Sequence, residues 1–369
     1  MRLPLDDIRV LDLTVARAGP QCVRQLADWG ADVVRVVPPP RGPGGDPAGV
    51  TGSDARNLHR NKRLVHLDLK DPAGRATLLQ LAEQADVLVE NMRPPVKDAL
   101  GIGWPAVHAR NPRLVYGSIS GFGQDGPYAA RGGVDQVAQG LGGLMSVTGL
   151  PGTEPTRVGI PVSDLAAGLH LAVGILVALH DRARTGAGRW VRTSLLETMI
   201  SMMDLQAVRW TIDGEVPEQE GNHHPTLVPM GCFRSSDGWV NVAGPSGRLL
   251  HRFCAAIGLP DLPSDPRFDT GPKRSANRAE LNEIVRDRLR QRTTAEWVAA
   301  LNEAGVPCGP VYAMDEVFAD PQVEHLGMVV RQVIRNPVTM GAEQTVRSDA
   351  PTAPLSAERV LEEWGDGRA

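Results

Sequence analysis

Along the first hundred or so residues, short apolar runs alternate with stretches whose apolar positions recur every three or four residues. Runs of β-branched and aliphatic residues read as strands, and the 3.6-residue period reads as helix. Strands are predicted at 8–13, 32–37, 65–69, 85–91 and 113–121, with helices over 20–29, where Gly30 closes the turn, and over 72–84. Strands that alternate with helices build a parallel sheet covered on both faces, so the fold class is α/β, a Rossmann-like doubly wound large domain. Such sheets bind ligands beyond the carboxyl ends of their strands, which directs attention to the loops after Leu13, Val37, Leu69, Val89 and Ser120.

Further along, 162–186 reads as one long helix that ends in basic residues and is stopped by Gly186 and Gly188. The polar, acidic stretch at 213–225 marks a boundary. Beyond it lies a smaller α+β domain, with a hairpin at 235–238 and helices near 247–257, 277–292 and 294–304. The proline-rich tail at 336–353 is expected to run extended, and 356–364 to form a last helix capped by Ser356 that returns to the first domain. The expected division is a large domain over 1–205 completed by 315–369, a small domain over 222–310, and linkers at about 206–221 and 311–330.

Composition narrows the function. With 42% hydrophobic and 22% charged residues in 369, the chain can bury a sizeable core. A net charge of −4 creates no field for nucleic acid or acidic lipid, so neither is expected as a partner. The apolar run at 169–179 is shorter than the roughly 18 residues a membrane span needs. Acidic residues near the start, in MRLPLDDIRVLDLT, stand where a secretory leader would be apolar, so a cytoplasmic location is expected. Cys22, Cys232, Cys254 and Cys308 show no metal-ligand spacing, so reduced thiols and no metal site are expected.

The common chemical signatures are missing. No GxGxxG follows the first strand, and no phosphate-binding P-loop, HExxH, GxSxG or EF-hand spacing occurs. Asp164, in PVSDLAAG, stands at a helix start, where the dipole and free amides hold a carboxylate ionised and ready to attack an electrophile. The same placement also suits a mere helix cap shared with Ser163. The basic run Arg60, Lys62, Arg63 and Lys70 could meet phosphates or form a solvated edge.

Several segments occur together: VARAGP (15–20), NKRLVHLDLK (61–70), VENMRP (89–94), ISGFGQDGPY (119–128) and GIPVSDLAAG (159–168). Further on come RTGAGRWVRTSLLE (184–197), GNHHP with SSDGWVNVA (221–243), and AGVPCGPVYAMDEVFADPQV (304–323). In this order they resemble the class III coenzyme A transferases, the family of formyl-CoA and carnitine CoA-transferases, over nearly the whole chain. The resemblance implies that Asp164 attacks an acyl-CoA thioester, giving an aspartyl mixed anhydride and then an enzyme-CoA thioester that a second carboxylic acid resolves. It implies a CoA groove lined by Arg17, Ala18, Leu67, Asp68, Lys70, Asn91, Met92, Arg93, Arg131 and Val134, with Asp135, His223 and His224 on the acid substrates. Coenzyme A enters as acyl-CoA substrate, no cofactor is held tightly, and the chains are expected to form an interlocked homodimer.

Departures from the family pattern are visible. Val37 and Pro38 stand where members often carry an acid and a polar or basic neighbour, and Arg17 replaces a glutamine of formyl-CoA transferase. GNHHPTLVPMG lacks the glycine run of that enzyme, so oxalate or formate specificity is not expected. Two other readings share the motifs. An α-methylacyl-CoA racemase would carry a histidine immediately before Asp135, where this chain has Val134, and a non-catalytic acyl-CoA-binding protein would use Asp164 only as a cap.

Overall fold

The computed structural model describes residues 2–40, 52–244 and 246–366. Its main sheet has six parallel strands: β1 (Arg9–Asp12), β2 (Asp32–Val37), β3 (Lys62–His66), β4 (Val87–Glu90), β5 (Val115–Ser120) and β6 (Trp190–Ser194). Their order is β3-β2-β1-β4-β5-β6. The direction of winding therefore reverses between β1 and β4, and the crevice at their carboxyl ends is where this class of sheet takes its ligands.

Helices cover both faces: α1 (Ala18–Asp28), α2 (Gly52–His59), α3 (Pro72–Gln84), α4 (Pro94–Ala99), α5 (Trp104–Arg110), α6 (Asp135–Leu141), α7 (Leu144–Val147), α8 (Val162–Thr185), α9 (Leu195–Met202) and α10 (Leu205–Asp213). On one face Val23, Leu26, Leu171 and Ile175 from α1 and α8 pack on Val10, Val89 and Ile119. On the other, Leu78 and Leu81 from α3 pack with Leu11, Val34, Leu88 and Tyr116. The local signals act as expected. Asp71 accepts the Ala73 N–H at 3.2 Å with Pro72 in the first turn, and Gly186, at φ 74°, ends α8. At Gly168 a Cβ would lie 2.6 Å from the Ala18 carbonyl oxygen, so only glycine lets α1 and α8 come this close.

Two sequence expectations move. The strand placed at 65–69 begins at Lys62 instead, because Lys62 hides its charge against buried Asp12 and half-buried Arg63 pairs with Asp32 at the sheet edge. This shift puts Leu67, Asp68 and Lys70 in the loop beyond the strand end. α8 is also longer than the apolar run inside it, and by length and composition it could cross a membrane. Here Ala167, Leu171 and Ile175 face the core, while Leu169, Val173, Leu176 and Val177 form an exposed apolar stripe at helical spacing.

Contacts group the chain into two compact units, Met1–Met145 with Arg157–Val216 and Gly327–Ala369, and Ser146–Thr156 with Pro217–Leu326. The smaller unit has an antiparallel sheet of β7 (Met230–Arg234), β8 (Trp239–Ala243) and β9 (Cys308–Pro310). Around it lie α11 (Gly247–Ala256), α12 (Gly271–Ala276), α13 (Arg278–Leu289), α14 (Thr294–Glu303), α15 (Met314–Ala319) and α16 (Pro321–Leu326). Phe233, Phe253, Phe268, Val285, Trp297 and Leu301 form its core. In the larger unit, β10 (Val329–Val330) and β11 (Val333–Ile334) pair, and then the Leu355 N–H donates to the Leu64 carbonyl at 2.7 Å beside β3. The last helix, α17 (Ala357–Asp366), seats Val360 and Trp364 in the α3 face of the core, and the Trp364 indole donates to Asp32 at 2.7 Å.

Candidate active site

The site is built at the reversal of the sheet. At the end of β1, Asp12 accepts from the Thr14 N–H at 3.0 Å and from its hydroxyl at 2.5 Å. From the end of β4, Asn91 accepts from the Val15 N–H at 2.9 Å and donates to the Val15 carbonyl at 2.8 Å. These bonds hold Ala16 in the left-handed region, at φ 59°, a conformation that costs a residue with a Cβ about 1–2 kcal/mol. Arg17 follows, directly before α1.

Val15 lines one cavity, of about 610 Å³, with Val37, Leu67, Lys70, Met92 and Val96 among its walls. Ala16, Arg17 and Ala18 line another, of about 110 Å³, with Asn91, Val134 and Asp164. Gly121 and Gly133 close that second cavity, since a Cβ built on Gly133 would meet the Gly121 Cα at 2.4 Å. The first turn of α8 brings Asp164 into it.

Asp164 differs from the expectation in one respect. The helix start was expected to hold its carboxyl ionised, but burial, reinforced by the nearby Asp135 charge, pushes its pKa up to about 6 against the pull of Arg17. It is still mainly ionised at neutral pH. Asp135, 7% exposed, accepts from the Ser163 N–H at 3.0 Å, the Ser163 hydroxyl at 2.8 Å, the Gln139 amide at 2.7 Å and Arg157 at 3.1 Å. Its acceptor positions are thus filled by the protein, and it braces the residue just before Asp164 where the sequence reading had set it against substrate.

Of the expected groove residues, Arg17, Ala18, Asn91 and Val134 share the small cavity with Asp164, and Leu67, Asp68, Lys70 and Met92 share the large one. Val37 and Pro38, the two departures, also line the large cavity and make that wall apolar. Arg93 and Arg131 line neither; both are exposed, with Arg131 stacked 3.7 Å from the Tyr128 ring centroid. The basic run needs correction. Arg60 is buried against Asp28 at 2.7 Å and Lys62 against Asp12 at 2.8 Å, so neither is available to a phosphate. Arg63 bonds Asp32 and Glu363. Only Lys70 of that run lies at either cavity.

His223 and His224 belong to the smaller unit. His224 Nδ1 accepts from the N–H groups of Thr226 and Leu227 at 3.1 and 3.0 Å, a turn-forming role. His223 packs on Phe233, and burial together with Arg286 and Arg278 lowers its pKa. No cluster of three or more metal-ligating side chains occurs among the described residues.

One group of residues escaped the sequence reading. Buried Lys97 donates to Glu90 at 2.6 Å, Gln124 at 2.5 Å and Ser118 at 3.2 Å, while Glu90 accepts the Met92 N–H at 2.8 Å. This network ties the loop after β4 to the loop after β5. Lys97 lies on a short helix rich in proline, where spacing alone gives no sign that a lysine turns inward.

A family model described as CoA-transferase family III matches residues 5–355. The chain belongs to that family and is an enzyme, a CoA-transferase. It is 36% identical over 327 residues to the succinyl-CoA--D-citramalate CoA-transferase of Chloroflexus aurantiacus, covering 86% of this chain and 81% of that one. It is 33% identical over 332 residues to the succinyl-CoA:glutarate CoA-transferase of Homo sapiens, covering 89% and 76%. A CAIB/BAIF family protein from Brucella suis has the same fold, with a TM-score of 0.86 and 32% identity over 99% of this chain and 100% of that one.

Proposed function

We propose that the enzyme moves CoA from an acyl-CoA to a free carboxylic acid with Asp164 as its covalent nucleophile. The observation that carries this reading is a carboxylate on the first turn of a core helix, in a small cavity beside the groove, with a pKa of about 6. An Asp164 oxygen attacks the thioester carbonyl, and CoA leaves as thiolate. The thiolate attacks the Asp164 carbonyl of the resulting anhydride, the first acid departs as carboxylate, and an Asp164-CoA thioester remains. The second acid attacks that thioester through its carboxylate and expels the thiolate. The thiolate then takes the new acyl group, which frees the Asp164 carboxylate. Each step trades one activated carbonyl for another, so no step needs an outside source of energy.

In this reading the thioester lies among Arg17, Ala18, Asn91 and Val134, and the length of CoA runs along Leu67, Asp68, Lys70 and Met92. Exposed Arg93 and Arg131, with Lys70, supply cations for its phosphates. The names of the relatives pair succinyl-CoA with D-citramalate and with glutarate, which puts short dicarboxylic acids first among the acids to assay. A homodimer accounts for the stripe on α8 and for the exposed Val208, Trp210 and Ile212 of α10, apolar surface that a second copy would cover. The free cysteines fit a reducing cytoplasm. A racemase reading lacks support, because it needs a second proton carrier across the substrate and the Asp164 cavity offers Val134 there and no histidine.

Intact-protein mass spectrometry after incubation with succinyl-CoA, with hydroxylamine or borohydride to trap the activated Asp164 carbonyl, tests the reading. We expect a succinyl-CoA-dependent hydroxamate (hydroxylamine) or alcohol (borohydride) at Asp164 that is absent from Asp164→Ala. No adduct with any acyl-CoA donor, together with exchange of the α-proton into deuterated water, would overturn it.

A further inference from the structure

We propose that Arg17 selects acids that carry a second carboxylate, by pairing with the carboxylate that does not react. The inference rests on the transferase reading and concerns the acid half of the same site. Three observations support it, all within the larger unit.

The first is charge. Among the described residues lining the Asp164 cavity, Arg17 is the only cation; the others are Ala16, Ala18, Asn91, Val134, Asp164 and small or apolar neighbours. A second carboxylate brought into about 110 Å³ beside an anionic nucleophile needs a cationic partner, since an unpaired buried charge costs several kcal/mol. A guanidinium can grip it with two parallel N–H donors.

The second is distance. Arg17 makes its ion pair with Asp54, at 2.6 Å through Nη2, and makes none with Asp164. It therefore stands beyond ion-pair contact with the Asp164 carboxyl while lining the same cavity, which leaves its guanidinium for a group other than the nucleophile. Its charge is nevertheless felt at Asp164, whose pKa it pulls down. Its remaining donors, Nε and Nη1, have no protein acceptor among the described residues.

The third is rigidity. The turn that presents Arg17 is pinned by Asp12 through Thr14 and by Asn91 through Val15, with Ala16 held left-handed. A cation on a fixed backbone loses less freedom when it binds, so its contribution to selectivity is retained.

The test compares chain-matched acceptors, succinate with butyrate and glutarate with valerate, using one saturating acyl-CoA donor. For wild type, Arg17→Gln and Arg17→Lys, the readout is the ratio of kcat/KM for the diacid to that for the monoacid. We expect wild type to prefer diacids, Arg17→Gln to lower the ratio at least 50-fold, and Arg17→Lys to restore part of it, chiefly through KM. Asp54→Asn, which releases the guanidinium, should raise the ratio a few-fold. An equal fall for both acid classes in Arg17→Gln would overturn the inference and place Arg17 at the reacting carboxylate instead; so would a wild type without diacid preference. Failure of the parent reading looks different, because then wild type forms no Asp164 adduct with any donor.

Discussion

Asp135 and Asp164 lie at neighbouring helix starts, within reach of each other's charge, and are treated oppositely. Asp135 is buried and receives four hydrogen bonds, two of them from Ser163. The Asp164 carboxylate receives no hydrogen bond from the described residues, borders a cavity, and is pushed toward protonation by burial and by its neighbour. The protein thus spends its donors on the carboxylate that braces the helix and leaves the other one bare. A carboxylate stripped of donors is a poorer anion and a better nucleophile, which is the property covalent attack requires.

The contrast can be tested from both sides. The largest effect is expected for Asp164→Asn, where steady-state exchange should fall by about 10³-fold or more. Next, Asp135→Leu leaves two Ser163 donors, the Gln139 amide and Arg157 without an acceptor, and chemical denaturation should show a loss of about 2–4 kcal/mol. Third comes a gain. Because the folded-state pKa of Asp164 is raised, the folded state binds its proton more tightly than the unfolded chain, and stability falls as pH rises through the interval up to about 6. Inactive Asp164→Asn should therefore be more stable than wild type at pH 8, by about 1–2 kcal/mol after allowing for partial solvent screening, and equal to it near pH 3.5. The smallest effect belongs to Asp135→Asn. Wild-type activity should rise with pH through about 6 as Asp164 ionises, and removing the Asp135 charge should move that limb to lower pH by less than about one unit. A limb unmoved by that substitution would mean that burial alone raises the Asp164 pKa.

Much of this was legible in the sequence where a local rule decides the structure. The helix over 72–84 is found with the expected ends because Asp71 caps it and Pro72 starts it. α8 stops where Gly186 can turn left-handed. The same kind of local rule places Asp164 at a helix start, but that pattern suits a helix cap equally well, and its reading as a nucleophile comes from the family resemblance. The reading failed where tertiary contacts override the local pattern. Lys62 looks like a surface cation and lies buried in β3, the edge strand of the main sheet, because Asp12 meets it inside. Arg60 is likewise drawn in by Asp28. Lys97 gives no local signal, since its partners Glu90, Ser118 and Gln124 come from the ends of two other strands and the loop beyond one of them. Asp135 was legible as a site residue, but its bond to Ser163 spans 28 positions, and nothing local separates a brace from a substrate contact.

The return of the last helix to the main sheet bears on how the chain matures at the ribosome. Trp364 and Val360 occupy the same core as Leu11 and Val34, from the first βαβ unit, and Leu355 bonds beside β3. Everything that forms the smaller unit is translated between those partners. The Rossmann-like half therefore emerges before the smaller unit and keeps one flank of its core uncovered until α17 follows. The smaller unit is contiguous apart from residues 146–156 and can close earlier. Chaperone dependence during synthesis should accordingly fall on the unit that carries Asp164, and trimming α17 should harm the part of the protein that was made before it.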